Sequence, residues 1–367
     1  MKVREIAAVL ERLAPPSLAA DWDNVGLLIG DGRSEVNSLM LCIDLTESVL
    51  AEAARVKARM IMAYHPVLFQ PARRLTAADV PVAYSAAAGG FAVYSMHTAL
   101  DVAPGGTNDV LAEVLGIRET RPIEPLVRPG GYKLAVFTPA EDLAAIADAA
   151  FGAGAGTIGS YERCSFFTHG IGTFRGLAGS RPTVGQPGRQ EATEELRLEM
   201  VVPKERVAGV CAAVRGAHGY ESPAIDIYPV AEAPAGIGMG RVGRLPRPVA
   251  AGTLIKRIKQ RAGLKRVLFA PAGGKAGRLV SVAACAAGSC GAIYKAAIGA
   301  GATFYLTGEM RHHDALAAAA AGLDVVCLGH SNSERMTLRR LAERLRRELP
   351  KLGVALARMD RDPFEIV

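Results

Sequence analysis

SLMLCIDLT (38–46), RMIMAYHP (59–66) and FAVYSMHTALD (91–101) decide the fold. Each is an apolar run that ends at an ionisable side chain: Asp44, His65, and His97 with Asp101. Apolar runs without polar alternation read as strands buried on both faces. The stretch from Glu47 to Ala54 fits a helix, so strands and helices alternate. That order predicts a largely buried α/β sheet. Ligands gather at the carboxyl ends of strands in such sheets, which is where these side chains fall.

The flanking sequence extends the pattern. EIAAVLERLAP (5–15) is an amphipathic helix closed by Pro, and DWDNVGLLIG (21–30) is a turn that carries Trp22. Downstream, LKRVLFA (264–270), RLVSVAACAA (278–287), ATFYLTG (302–308) and DVVCLG (324–329) read as strands. TLIKRIKQRAG (253–263) and HHDALAAAAAG (312–322) read as helices. SERMTLRRLAERLRREL (333–349) reads as the closing helix, capped by Ser331, Asn332 or Ser333. Two linkers rich in Pro and Gly, near 121–131 and 230–248, bracket a unit of its own. Within it a strand–helix–strand half occurs twice, the pattern of a small ferredoxin-like domain. The predicted organisation is an α/β core of two lobes, built from 1–125 and 235–367, with a ferredoxin-like α+β domain inserted at 130–231.

Composition narrows the function. With 367 residues, half of them hydrophobic, the chain can bury more than one core. The N-terminal MKVREIAAVLERL has scattered charges and no cleavable apolar run, so no secretory signal is expected, and no apolar stretch is long enough to span a membrane. A cytoplasmic setting follows as the expectation. The six cysteines form no close Cys-x-x-Cys pair, and CAAGSC (285–290) lacks the matching second pair of a structural zinc site. The net charge of +7 is densest in IKRIKQRAGLKR (255–266) and RRLAERLRREL (339–349). In the latter, Arg and Glu alternate at helical spacing, as on a solvated face, so the case for nucleic acid rests on charge alone.

The chemistry lies in the polar ends of the apolar runs. AYHP holds Tyr64 and His65, and SMHTALD holds His97 and Asp101. TGEMRHHD holds Glu309, His312, His313 and Asp314, and GHSNSE holds His330 and Glu334. DWDNVG and CIDLT add Asp21, Asp23 and Asp44. Imidazole with carboxylate suits zinc, manganese, iron or cobalt. His330 and Glu334 are four apart and share one side of a helix that begins by 331. His97 and Asp101 have the same spacing on an extended or looping segment, where it carries little geometric weight. No nucleophile elbow, Walker loop or dinucleotide fingerprint is present.

These motifs, together with WDNVGLLIG, YSMHTALDVAPGGTNDVLAEVLG, YERCSFFTHGIGTFRGLAG and GAHGYESPAIDIYPV, resemble the Nif-three-like family of dinuclear-metal proteins, the GTP cyclohydrolase 1 type 2 homologs. The likeness is to the long bacterial form, whose inserted domain is PII-like or CutA-like. The resemblance implies an α/β core around two divalent ions, zinc, manganese or iron. It also implies a toroidal homohexamer with the metal sites facing its interior. His65, Asp101, His330 and Glu334 match the ligand positions, with Glu334 bridging. Many members carry two consecutive His where this chain has Tyr64 and His65. The expectation is therefore a firm ion near His65 and His330 and a weaker one near Asp101. Tyr64 and His97 stand beside the ligand set as weak ligands or hydrogen-bonding neighbours. Glu309 and His313 are assigned proton transfer. The implied activity is metal-dependent hydrolysis of a nucleotide or related phosphorylated compound. The alternative is a non-enzymatic metal-binding regulatory or scaffold ring, associated with nucleic acid in one version.

Overall fold

The three apolar runs become adjacent parallel strands, Ser38–Cys42, Met60–Ala63 and Ala92–Ser95, nearly every residue of which is buried. The structure, a computed structural model, describes residues 1–232, 235–274 and 277–365. Residues 233 and 234 of the second Pro/Gly linker lie outside the described residues. The chain divides into two units, 1–126 with 235–367, and 127–234.

The first unit contains two sheets. In the N-terminal lobe the strand order is Gly26–Ile29, Ala92–Ser95, Met60–Ala63, Ser38–Cys42, Gly353–Leu356, parallel except at the first pair. The last strand was not foreseen: the helix His330–Glu348 does not close the fold, because the chain returns to line the edge of this sheet. Both faces of the sheet are covered. The helix Val3–Leu13 supplies Val3, Ile6, Leu10 and Leu13 to one face. The long C-terminal helix adds Leu338, Leu341, Ala342 and Leu345 to the same core, at the spacing of one helical stripe. The other face packs on the helices Glu47–Arg55 and Pro81–Ala88 through Val49, Leu50, Ala53, Ala83 and Ala86.

The C-terminal lobe is a six-stranded sheet in the order Leu268–Ala270, Asp324–Cys327, Phe304–Thr307, Leu279–Ala286, Arg241–Ala250, Arg118–Arg121. Its central three strands are parallel. Each lobe thus borrows an edge strand from the other end of the chain. The helix Thr107–Leu115 follows the same exchange and sits in the C-terminal lobe's core through Leu111 and Leu115. Arg241, 2% exposed, ties this helix to the sheet: it donates to Asp109 and to the carbonyls of Gly236, Gly238 and Gly240.

In the second unit the strands Arg128–Thr138, Phe166–Arg175, Gln190–Val202 and Ile225–Glu232 form an antiparallel sheet. Its order is Ile225–Glu232, Arg128–Thr138, Gln190–Val202, Phe166–Arg175. The helices Leu143–Gly152 and Val207–Ala217 cover one face, burying Ile146, Val210 and Val214 against Leu134, Val136, Leu198 and Met200. The order is β-α-β-β-α-β, with burial alternating along Gln190–Val202 as expected of a half-covered sheet.

Candidate metal centre

Strand register brings the site together. Cys42 pairs with Ala63 and Ala63 with Ser95, so Asp44, His65 and His97 all lie two residues beyond paired positions. In the other lobe Ala286 pairs with Thr307 and Thr307 with Cys327. Gly288 and Glu309 then stand two residues past the strand ends, and His330 three. These are all carboxyl ends of parallel strands, the place where backbone groups leave the ladder and side chains become available to a ligand.

The helix His330–Glu348 delivers the carboxylate that both lobes share. It begins at His330 itself, preceded by Gly329 with φ of 93°, and no side chain caps it. The expected caps are occupied elsewhere: Ser331 donates to Asp362, Asn332 to the Leu328 carbonyl, and Ser333 to the His330 carbonyl while accepting from Gly288 N–H. His330 and Glu334 therefore sit one turn apart. Glu334 Oε1 lies 3.3 Å from His330 Nε2, and Oε2 lies 3.4 Å from His65 Nε2. His65, His330 and Glu334 each offer a ligand atom within 4.8 Å of the others.

Both imidazoles are held from behind. His65 Nδ1 is 2.8 Å from Asp44 Oδ1, and His330 Nδ1 is 2.9 Å from Glu309 Oε1. With one proton held on Nδ1, loss of the other from Nε2 leaves each lone pair aimed at the Glu334 side, the arrangement that orients a metal-binding histidine. Burial alone would lower the His65 pKa, but the hydrogen bond to Asp44 and the charge of Glu334 3.4 Å away outweigh it and raise it to about 10. His330 is raised to about 9, chiefly by its hydrogen bond to Glu334, against burial. Burial pushes Glu334 up, yet His330 and His65 hold it below the ordinary carboxylate range. Glu334 is 2% exposed and its Oε2 has no hydrogen-bond partner. A buried carboxylate with an unsatisfied oxygen between two imidazole nitrogens fits a divalent cation better than it fits a closed core.

The neighbouring position departs from an imidazole–carboxylate pattern. Tyr64 is fully buried, and its hydroxyl donates to Asp101 Oδ1 and lies 2.9 Å from Thr107 Oγ1. Asp101 is pushed up to about 6, first by burial and then by the charge of Glu334. Burial and the charge of Asp101 push the Tyr64 phenol well above its usual value. The phenol therefore keeps its proton and donates it to the Asp101 carboxylate, and Asp101 stands outside the three-residue group.

His97 differs from the sequence expectation in its backbone. It opens a helix, His97–Val102, with φ of 25°, instead of continuing a strand. The spacing to Asp101 is thus a helical turn. Its Nδ1 lies 2.8 Å from Asp23 Oδ1, and its ring centroid is 5.2 Å from that of His65. His313 is not gathered in: it is exposed on the helix His312–Ala320 with its ring 5.3 Å from His312, and among the described residues no contact ties it to the centre. Glu309, expected to move protons, has one oxygen committed to His330 and lines a cavity of about 430 Å³ with Ser289, Met310 and Arg311. Asp23 and Asp44 were visible in the motifs but had no role assigned. Strand register with the His-bearing neighbours was the signal that gives them one.

A mixed α/β core whose two lobes meet at a His–His–Glu cluster defines a class of candidate metal proteins. The chain belongs to the Duf34/NIF3 (NGG1p interacting factor 3) family, whose model matches residues 1–363. It is 34% identical to the GTP cyclohydrolase 1 type 2 homolog of Bacillus subtilis, over 98% of this chain and 97% of that one. It is 33% identical to NIF3-like protein 1 of Rattus norvegicus, over 100% and 93%. A crystal structure of a Bacillus cereus protein related to NIF3 superposes with a TM-score of 0.69 at 31% identity, covering 100% of this chain and 99% of that one. Among the described residues no helix is long and apolar enough to cross a membrane.

Proposed function

We propose that the protein is a metal-dependent hydrolase of a nucleotide or related phosphorylated compound. His65, His330 and Glu334 hold one divalent ion, and a second, weaker one lies toward Asp101. The observation that carries this reading is the convergence of two Nε2 atoms on the two oxygens of one buried carboxylate. Imidazole with carboxylate favours zinc, manganese or iron. A bound ion there supplies Lewis acidity toward a phosphoester or an electrophilic ring carbon.

The chain's own residues do the rest. Asp44 and Glu309 fix the Nδ1 protons and aim the rings. Glu309 keeps its second carboxylate oxygen for a proton at the edge of the cavity shared with Arg311. Tyr64 donates its hydroxyl proton to Asp101 and orients that carboxylate in the buried half. The names of the relatives, GTP cyclohydrolase 1 type 2 homologs, make purine nucleotides the first substrates to try. The further parts of the proposal are a toroidal homohexamer in the cytoplasm and a PII-like or CutA-like role for the inserted unit, whose β-α-β-β-α-β order suits it.

Elemental mass spectrometry on metal-replete protein, beside a Glu334→Ala variant, tests the reading. The parent should hold one to about two equivalents per subunit, and the variant should lose most of them together with nucleotide hydrolysis. Metal retained in full by the variant would refute the ligand set. Bound metal with no turnover on any nucleotide would leave a regulatory or scaffold ring in its place.

A further inference from the structure

Beside the metal centre the protein exposes aromatic surface that its own core does not use. Trp22 is 62% exposed and Phe69 is 50% exposed, yet their ring centroids are 5.7 Å apart. Both rings also meet His97, at 5.8 Å and 6.3 Å. His97 in turn stands 5.2 Å from His65, and His65 5.3 Å from His330. A continuous row of rings therefore runs from the His65–His330 pair out to solvent.

The backbone that presents the two rings is anchored on both sides. Asp23, next to Trp22, engages His97 Nδ1 through Oδ1 and accepts from both the backbone N–H and the hydroxyl of Thr98 through Oδ2. Thr98 Oγ1 also accepts from Ala20 N–H on the other side of Trp22. Asn24 donates to the carbonyl of Leu68, the residue before Phe69, at 2.7 Å. The turn that presents Trp22 is thus clamped both to the helix that carries His97 and to the loop that carries Phe69. The contacts among the three rings leave half or more of Trp22 and Phe69 open to solvent, and a preorganised aromatic face lowers the cost of binding a flat ligand. Aromatic side chains accept any nucleobase by its π face.

We propose that Trp22, Phe69 and His97 form a stacking platform for the planar heteroaromatic ring of the substrate, with the phosphorylated portion directed along His97 and His65 to the metal centre. This assignment rests on the hydrolase reading above and narrows it: the substrate carries a base-like ring, and a sugar phosphate alone is a poor ligand.

Trp22 is the single tryptophan of the chain, so its emission reports the platform directly. Guanosine monophosphate and ribose 5-phosphate are titrated into the metal-loaded full-length protein, followed by Trp emission and by calorimetry. Guanosine monophosphate should quench Trp22 saturably, and ribose 5-phosphate should not. Trp22→Leu and Phe69→Ala should each weaken guanosine monophosphate by about 5- to 150-fold and leave ribose 5-phosphate and metal content unchanged. Trp22→Phe should retain most of the affinity. No saturable quench, equal losses for both ligands, or variants that bind as the parent does would overturn the platform. So would an emission that follows protein concentration instead of ligand, which would mark a contact between copies. The two proposals fail separately. Quenching with no hydrolysis of any nucleotide keeps the platform and removes the hydrolase. Hydrolysis that depends on Glu334 but is indifferent to Trp22 and Phe69 does the reverse.

Discussion

Gly288→Ala perturbs the candidate centre without changing a single ligand atom. Gly288 has φ of 66°, and a Cβ built there would stand 2.7 Å from Glu334 Oε1 and 3.6 Å from His330 Nε2. The left-handed backbone costs a side-chain-bearing residue about 1–2 kcal/mol. Relieving the clash requires Glu334 to leave its rotamer, for about 1 kcal/mol more. The sum is a destabilisation of about 2–3 kcal/mol, or a fall of about 4–12 °C in the thermal midpoint of the metal-binding unit. Gly263→Ala is the control, since Gly263 has φ of 71° and nothing within 4 Å of its added Cβ. It carries the backbone cost alone. Calorimetric scans of the metal-free proteins and Zn²⁺ titrations separate the two effects. Gly263→Ala should lose some stability and no metal affinity, while Gly288→Ala should lose at least about tenfold in affinity, the equivalent of about 1.4 kcal/mol. If Gly288→Ala bound Zn²⁺ as tightly as the parent, Glu334 would not be a ligand in the position described.

Four further outcomes are expected. Because His65 and His330 are raised to about 10 and about 9 from a reference of 6.5, both are protonated at pH 7 in the metal-free protein. Their contribution to stability is whole below about pH 6.5 and is lost as pH rises through about 9 to 10, so the metal-free thermal midpoint should fall across that window. Zn²⁺ must displace both protons at pH 7, and titrations in buffers of different ionisation enthalpy should show release of about two; release of none would mean the imidazoles are not ligands. Tyr64→His replaces the phenol that caps Asp101 with an imidazole, and should raise the metal content toward two equivalents per subunit by elemental analysis. Arg241→Met strips Asp109 and three glycine carbonyls of their donor and should cost about 3 kcal/mol in urea denaturation; a loss below about 1 kcal/mol would mean that this buried arginine is replaceable.

The sheet was legible because its central strands are apolar throughout, as in SLMLC, MIMA and AVYS, and burial on both faces leaves that mark. His65 and His330 were legible because they follow the ends of apolar runs, and Glu334 because it stands one helical turn after His330; their union in one ligand set came from the family resemblance. What escaped was whatever depends on partners distant in sequence. HTALD looked like more strand because Thr, Ala and Leu tolerate either geometry, but the buried helix is held by Asp23, 75 residues from Thr98. The strand Gly353–Leu356 escaped because an edge strand that alternates exposed and half-buried positions carries little apolar signal. The start of the last helix was misplaced for a local reason. Ser331, Asn332 and Ser333 are good capping residues whose side chains are engaged elsewhere, and Gly329 makes the turn.

The ends of the host segments at the insertion point are themselves paired. Pro125 lies opposite Gly238, and Leu126 N–H donates to the Ile237 carbonyl at 3.0 Å. The host chain therefore leaves and re-enters at one small antiparallel ladder, so that a hairpin turn of a few residues would span the same gap. In evolutionary terms this is a socket: a whole domain can be gained, lost or exchanged there without lengthening any path through the metal-binding core. A chain rejoined across 127–236 by a short turn should still assemble both lobes.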